Sequence, residues 1–272
     1  MIFVVIVFII TSCSLIKIET GPPSTGQSSS SDFDPALKKD IRGSLSIAYA
    51  WGQRLSPPQQ YSRALINLKD AMLKWTKINT RLVEHLRLDS DELLQMPFVY
   101  IATDQSFELT EQEKSNIKNY LLKGGFLVLD NATPQLDQSQ AEASLRKMIR
   151  DSIGSGVRFE PIPNDHAIYH SYFDFDDGPP IGSENQMVTT SRTPMLDSSG
   201  QPTGQERESK LMPRRVLYLE GVWISDRLVA VLSNKGYVVK WNEMYGNEPQ
   251  LKMGVNMAVF ALTQPGGIAH QE

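Results

Sequence analysis

The chain has 272 residues with 27 Lys+Arg against 31 Asp+Glu, a net charge of -4. That length holds one large α/β domain or two small ones after a short N-terminal segment, and the charge balance, without any Lys/Arg cluster, RNA-binding signature or finger spacing, argues against nucleic acid as a partner. There is one cysteine, Cys13, which rules out an internal disulfide; its place directly after an apolar run points to processing rather than folding.

Met1 to Ile10 is an unbroken β-branched and aromatic run, short of the roughly 20 residues a spanning helix needs but suited to the apolar core of a signal peptide. Ile10-Thr11-Ser12-Cys13 follows and resembles a bacterial lipobox, although the basic segment that usually opens such a signal is missing. The expectation is a signal peptide over 1–13, with Cys13 carrying the lipid that holds the protein to a membrane on the periplasmic side of the cell envelope. Ser14 in place of Asp after the cysteine favours the outer membrane, by resemblance to Gram-negative lipoproteins. Residues 14–38 contain Gly21-Pro22-Pro23-Ser24-Thr25-Gly26 and a run of serines, the composition of a flexible tether.

From residue 39 to 265 the pattern is that of an α/β domain. Leu45 to Trp51 reads as a first strand. Ser56 as N-cap with Pro57 and Pro58 in the first turn predicts a helix whose apolar stripe is Tyr61, Leu65, Leu68, Met72 and Trp75. Arg81 to Leu88 is a weaker strand, and Ser90 caps a short helical turn. Phe98 to Ala102 reads as a buried strand; Thr110 with Glu113 forms a capping box for a helix ending at Gly124. Phe126 to Leu129 is another buried strand, and Ser139 with Glu142 opens a helix through Leu145, Met148 and Ile149. Residues 176–210 read as a long surface excursion. Next come an apolar stretch from Arg215, a hairpin of Gly221–Ile224 with Leu228–Leu232, a further short strand at Tyr237–Val239, and a closing apolar helix from Leu251 to Leu262. Alternating strands and capped helices predict a three-layer α/β/α sandwich with a largely parallel sheet and a C-terminal β-hairpin extension.

Several stretches together resemble the bacterial family called domain of unknown function 4159. They are Pro97-Phe98-Val99-Tyr100-Ile101, Thr110 with Glu113, Tyr120-Leu121, Gly124-Gly125-Phe126-Leu127 with Asp130, Asp165-His166, Tyr169 to Phe175, Glu220-Gly221-Val222 with Arg227-Leu228, and Gly254-Val255-Asn256. The resemblance implies a class I glutamine amidotransferase-like or flavodoxin-like fold and no assigned activity. It also marks two departures. Thr103-Asp104-Gln105 stands where the family often has Gly-His-Gly, and Asp130-Asn131 stands where it often has paired aspartates. Both imply that any reaction performed there by relatives is lost in this chain.

In open parallel sheets ligands sit outside the carboxyl ends of the strands. That rule selects Gln53, Arg54, Asp104, Gln105, Asp130 and Asn131 as candidate ligand contacts, against the plainer reading of strand-end carboxylates as solvated or capping groups. No cysteine follows Cys13, so an amidotransferase-type nucleophile is excluded, and Gly154-Ser155-Gly156 lacks the frame of a nucleophile elbow. His166 and His170, with Asp165, Asp174, Asp176 and Asp177 near in sequence, read as loop histidines rather than metal ligands, because Pro161 and Pro163 break any helix that could align them. No metal or cofactor is expected. The expected function is therefore non-catalytic binding of an envelope protein or a small molecule. One alternative is a hydrolase or transferase using Asp104, Asp130 and His166 as acid/base groups; another is a saccharide-binding module stacking sugars on Trp51 or Trp241.

Overall fold

The computed structural model describes residues 41–135, 139–185, 193–196, 202–207 and 216–270. The expectations for Cys13, the signal peptide and the tether lie outside these residues, as do parts of the excursion at 176–210.

Nine strands are described: β1 (Arg42–Trp51), β2 (Lys77–Arg87), β3 (Phe98–Thr103), β4 (Leu127–Asn131), β5 (Glu160–Pro161), β6 (Thr193–Leu196), β7 (Pro202–Arg207), β8 (Glu220–Ile224) and β9 (Arg227–Ser233). Five α-helices accompany them: α1 (Ala64–Trp75), α2 (Glu111–Leu122), α3 (Gln140–Ile153), α4 (Tyr237–Asn242) and α5 (Glu248–Thr263). Seven strands form one sheet in the order β2-β1-β3-β4-β9-β8-β5, while β6 and β7 pair separately. The first five run parallel, and β8 and β5 close the sheet antiparallel. The expected neighbours β1, β3 and β4 are adjacent and parallel.

Side chains alternate between two cores, as the pleat requires. Leu45, Ile47 and Tyr49 of β1, with Phe98 and Tyr100 of β3 and Val128 of β4, pack with α1, α4 and α5. Ala48, Ala50, Val99, Ile101, Leu127 and Leu129 pack with α2 and α3. A parallel sheet covered by helices on both faces explains why β3 and β4 are buried at every position and read as continuous apolar runs.

Four expectations change. Ser56 does not cap α1: Pro58 is extended (φ -62°, ψ 116°), a 3₁₀ turn occupies Gln59–Tyr61, and the helix begins at Ala64. Pro58 keeps the residue before it out of the helical region, so the proline pair delays the helix instead of starting it. The stripe holds regardless, with Leu65, Leu68 and Met72 buried and Tyr61 and Trp75 packed against the same core. Tyr237–Val239 is the first turn of α4, not a strand, since Gly236 takes a left-handed conformation (φ 59°) and turns the chain onto the sheet. The hairpin is no appendage: β9 runs parallel beside β4 in the body of the sheet. The excursion also leaves the surface at its start, where Gly182, Ser183 and Glu184 are buried.

Candidate functional site

From β1 the chain goes out to β2 on one side and then returns past β1 to β3 on the other. Connections therefore diverge above the β1/β3 boundary, the place where an open parallel sheet leaves a crevice. A cleft of about 190 Å³ lies there, walled by residues 54–60 after β1 and 103–107 after β3. Of the candidate residues, Arg54, Asp104 and Gln105 line it, joined by Ser56, Gln59 and Gln60. Gln60 Nε2 donates to Asp104 Oδ2 at 2.9 Å. Thr103 Oγ1 folds the second wall, accepting from Gln105 N–H and donating to Gln105 C=O. Arg54 stands at the rim, 3.9 Å from Glu108 with both heads mostly in solvent, a pairing that adds little stability.

The first wall is held from beneath by Glu113. The capping box expected at Thr110 is present in both halves, and the same carboxylate does more. Its Oε2 accepts from Thr110 N–H (2.7 Å) and Oγ1–H (3.0 Å), while Oε1 accepts from Gln53 N–H (2.7 Å). Glu113 is fully buried, so these donors replace the water it has lost. Gly52 must be a glycine here, because a Cβ would lie 2.8 Å from Glu113 Oε1. Gln53 thus meets the site through its backbone, which fixes the loop.

Asp130 and Asn131 stand at the end of β4 with no exposed surface. Asp130 Oδ2 accepts from Tyr100 Oη–H (2.8 Å) and Val238 N–H (2.6 Å), seating the start of α4 on the sheet. Burial raises its carboxyl from 3.8 to about 6, opposed by hydrogen bonds from Ser233, Val238 and Tyr100. Tyr49, in register with Tyr100 and with ring centroids 5.7 Å apart, has its phenol pushed far above the usual range by burial and then by the charges of Asp130 and Asp104. Asn131 organises the following loop. Its Oδ1 accepts from Thr133 N–H and Ser139 Oγ–H, and its Nδ2 donates to Asn234.

Beside it lies a buried ion pair that sequence reasoning missed. Lys235 Nζ donates to Glu184 Oε1 (2.5 Å) and to Val216 C=O (2.6 Å), with the two side chains 1% and 2% exposed. Ser183 N–H donates to Lys235 C=O, and Gly182 N–H to Glu184 Oε2. No local pattern marks this pair, whose members are 51 positions apart. Tyr49 and Tyr100 were also missed, although each sits on the same strand face as the core apolar residues two positions before it.

His166 belongs to another part of the molecule. Its ring packs on Trp223 and Phe260, and burial lowers its pKa. Trp223 pairs with Leu228 near the start of β9, whereas Asp130 pairs with Ser233 at its end; five residues of strand separate them, roughly 16 Å. The structure does not bring His166 to Asp104 and Asp130. His170 is a hydrogen-bonded loop residue, with Nε2 at 2.9 Å from Asn164 C=O and Nδ1 at 3.2 Å from Asp174. Among the described residues no three His, Cys, Asp or Glu side chains group as a metal cage. Trp241 is wholly buried against Tyr100 and Tyr237, which removes it as a stacking platform; Trp51 is half-buried, stacked on His85 and bonded to Glu84 C=O.

The family model for the domain of unknown function (DUF4159) matches residues 48–262. The chain belongs to this family. Comparison with curated proteins gives no match. In this DUF4159 domain the residues on which the resemblance rests are chiefly builders of the fold. Tyr120 Oη donates to Phe126 C=O and accepts from Phe126 N–H, both at 2.9 Å. Arg227 donates to the carbonyls of Gly125 and Leu121, satisfying the end of α2. Asn256 clamps both backbone groups of Phe173, and Glu220 takes Arg146 in a two-point ion pair.

Proposed function

We propose that this DUF4159 domain is a non-catalytic binding module of the cell envelope, anchored through a lipid on Cys13 and a tether over 14–38, and that the cleft above β1 and β3 receives a small polar ligand. The observation that carries the reading is the position of that cleft. It stands where an open parallel sheet changes direction, and its two walls contain Arg54, Asp104 and Gln105. At about 190 Å³ it is smaller than most drug-sized sites, which fits a compact ligand or one protruding side chain of a partner. The fold, in this reading, is a three-layer sandwich of the glutamine amidotransferase and flavodoxin kind, since helices cover both faces of the sheet. Among the described residues no helix is long and apolar enough to cross a membrane.

Two measurements test the proposal. Cys13→Ser, expressed in a Gram-negative host, is expected to move the protein from the membrane to the soluble fraction; unchanged fractionation with an uncleaved N-terminus would refute lipid anchoring. A fragment screen observed by NMR is expected to perturb Arg54, Asp104 and Gln105 together, and Asp104→Ala to abolish those perturbations with the fold intact. Hits clustering away from the cleft would refute the site.

A further inference from the structure

At the edge of the sheet opposite the cleft, β1 and β2 project beyond their neighbours. β3 pairs with β1 only from Ile47 onward, whereas β2 pairs with it from Arg42. Among the described residues, Arg42 to Ser46 therefore have β2 on one side and no strand on the other, which makes a two-stranded ribbon five residues long, roughly 16 Å. Its two faces differ. Leu45, Ile78 and Thr80 are buried on the face that carries α1. On the other face Arg42 stands opposite Lys77, Ser44 opposite Asn79 and Ser46 opposite Arg81, and all three basic side chains are exposed.

The charge of the ribbon has one sign. Arg42–Ser46 and Lys77–Val83 contain no Asp or Glu, and Glu84 comes only after β3 has joined the sheet. The last turn of α1 ends two residues before β2, with Lys74 over the half-buried Trp75 ring at 5.3 Å and Leu73 51% exposed. Asp70, one turn earlier, is paired with Lys69. Cations beside a tryptophan and an exposed leucine suit the headgroup layer of an anionic membrane, where charge attraction and shallow apolar contact act together. The way the chain arrives selects that partner over other polyanions. The segment leading from Cys13 enters at Ile41, directly before the ribbon, and a tether with the length and composition of 14–38 reaches roughly 25–30 Å. We infer that the β1–β2 ribbon is a docking surface for anionic phospholipid headgroups, which lays Arg42, Lys77 and Arg81 on the membrane and turns the cleft, at the opposite edge of the sheet, away from it. This rests on the anchoring reading.

The test uses the full-length lipidated protein on vesicles of phosphatidylcholine, alone or mixed with an equal part of phosphatidylglycerol. With the one cysteine of the chain occupied by lipid, a fluorophore is placed on an introduced cysteine, Asn79→Cys on the ribbon or Ser106→Cys at the cleft, and quenched by spin-labelled headgroups. On the mixed vesicles the ribbon label is expected to be quenched strongly and the cleft label weakly; on phosphatidylcholine alone, and at high salt, the contrast is expected to vanish. Arg42→Gln, Lys77→Gln and Arg81→Gln together are expected to lower the docked-to-undocked ratio about 100-fold, about fivefold per cation, with melting unchanged. Equal quenching at the two positions on the mixed vesicles, or a contrast that survives high salt, would overturn the docking surface and leave the anchor standing. Labelling of the parent at Cys13, with flotation on the mixed vesicles alone, would overturn the anchor and leave the ribbon. Flotation with neither vesicle would overturn both.

Discussion

The carboxyl edge of the sheet is built in two contrasting halves. Above β4 and β9 nearly every buried polar group is paired: Asn131 with Thr133, Ser139 and Asn234, and Lys235 with Glu184 and Val216. Above β1 and β3 there is a cleft walled by polar side chains, Arg54, Asp104 and Gln105 among them. One half is plugged by residues 182–184, which bring backbone donors and a carboxylate to the strand ends; the other is walled by the proline-stiffened loop 54–60 and by residues 103–107. A saturated polar network is rigid and specific, whereas polar side chains that line an open cleft remain exchangeable with solvent. The contrast separates a half closed by its own side chains from a half that keeps a cleft.

The largest expected effect breaks the closed half. Lys235→Ala leaves Glu184 buried without its cation and should cost about 3–5 kcal/mol in urea unfolding, while a double change to Met at 235 and Leu at 184 should recover much of that loss. A result under 1 kcal/mol for the single variant would show that the closed half is not rigid. Leu127→Ala, at a fully buried position of β4, should cost about 2–5 kcal/mol through the cavity it opens, measured the same way.

A pH titration sharpens the comparison. Asp130 has its carboxyl raised from 3.8 to about 6 by burial, so the folded state takes up its proton before the unfolded chain does. Protonation of this group therefore favours folding: its contribution is fully present below about pH 4 and is lost as pH rises through 6, up to about 3 kcal/mol in all. The stability difference between the parent and Asp130→Asn, followed from pH 4 to 7, should move by that order, with the parent losing ground toward neutrality. A flat difference would show Asp130 to be better solvated than its burial implies. Thr110→Ala should cost about 1 kcal/mol as a lost helix cap and should loosen the 53–55 loop, seen as faster amide exchange at Gln53. The smallest stability effect belongs to the open half: Asp104→Ala should change unfolding free energy by less than about 0.5 kcal/mol, and a larger loss would make it a structural residue.

The sequence by itself determined the strands β1, β3 and β4, the caps at Thr110 and Ser139 and the α1 stripe, because these depend on contacts a few residues apart: alternation, helical period and side-chain bonds to nearby backbone. The strand-end rule also picked out Arg54, Asp104 and Gln105, which line the cleft, together with Gln53, Asp130 and Asn131, which do not. Only the tertiary structure decided that β9 lies beside β4, that Tyr237–Val239 turns into a helix seated on Asp130, and that Asp130 is buried while Asp104 is not. The same holds for the Lys235–Glu184 pair and for the separation of His166 from the two aspartates. Each depends on residues far apart in the chain, and the burial that makes a carboxylate a helix seat rather than a ligand contact is a property of the assembled neighbours, not of the aspartate.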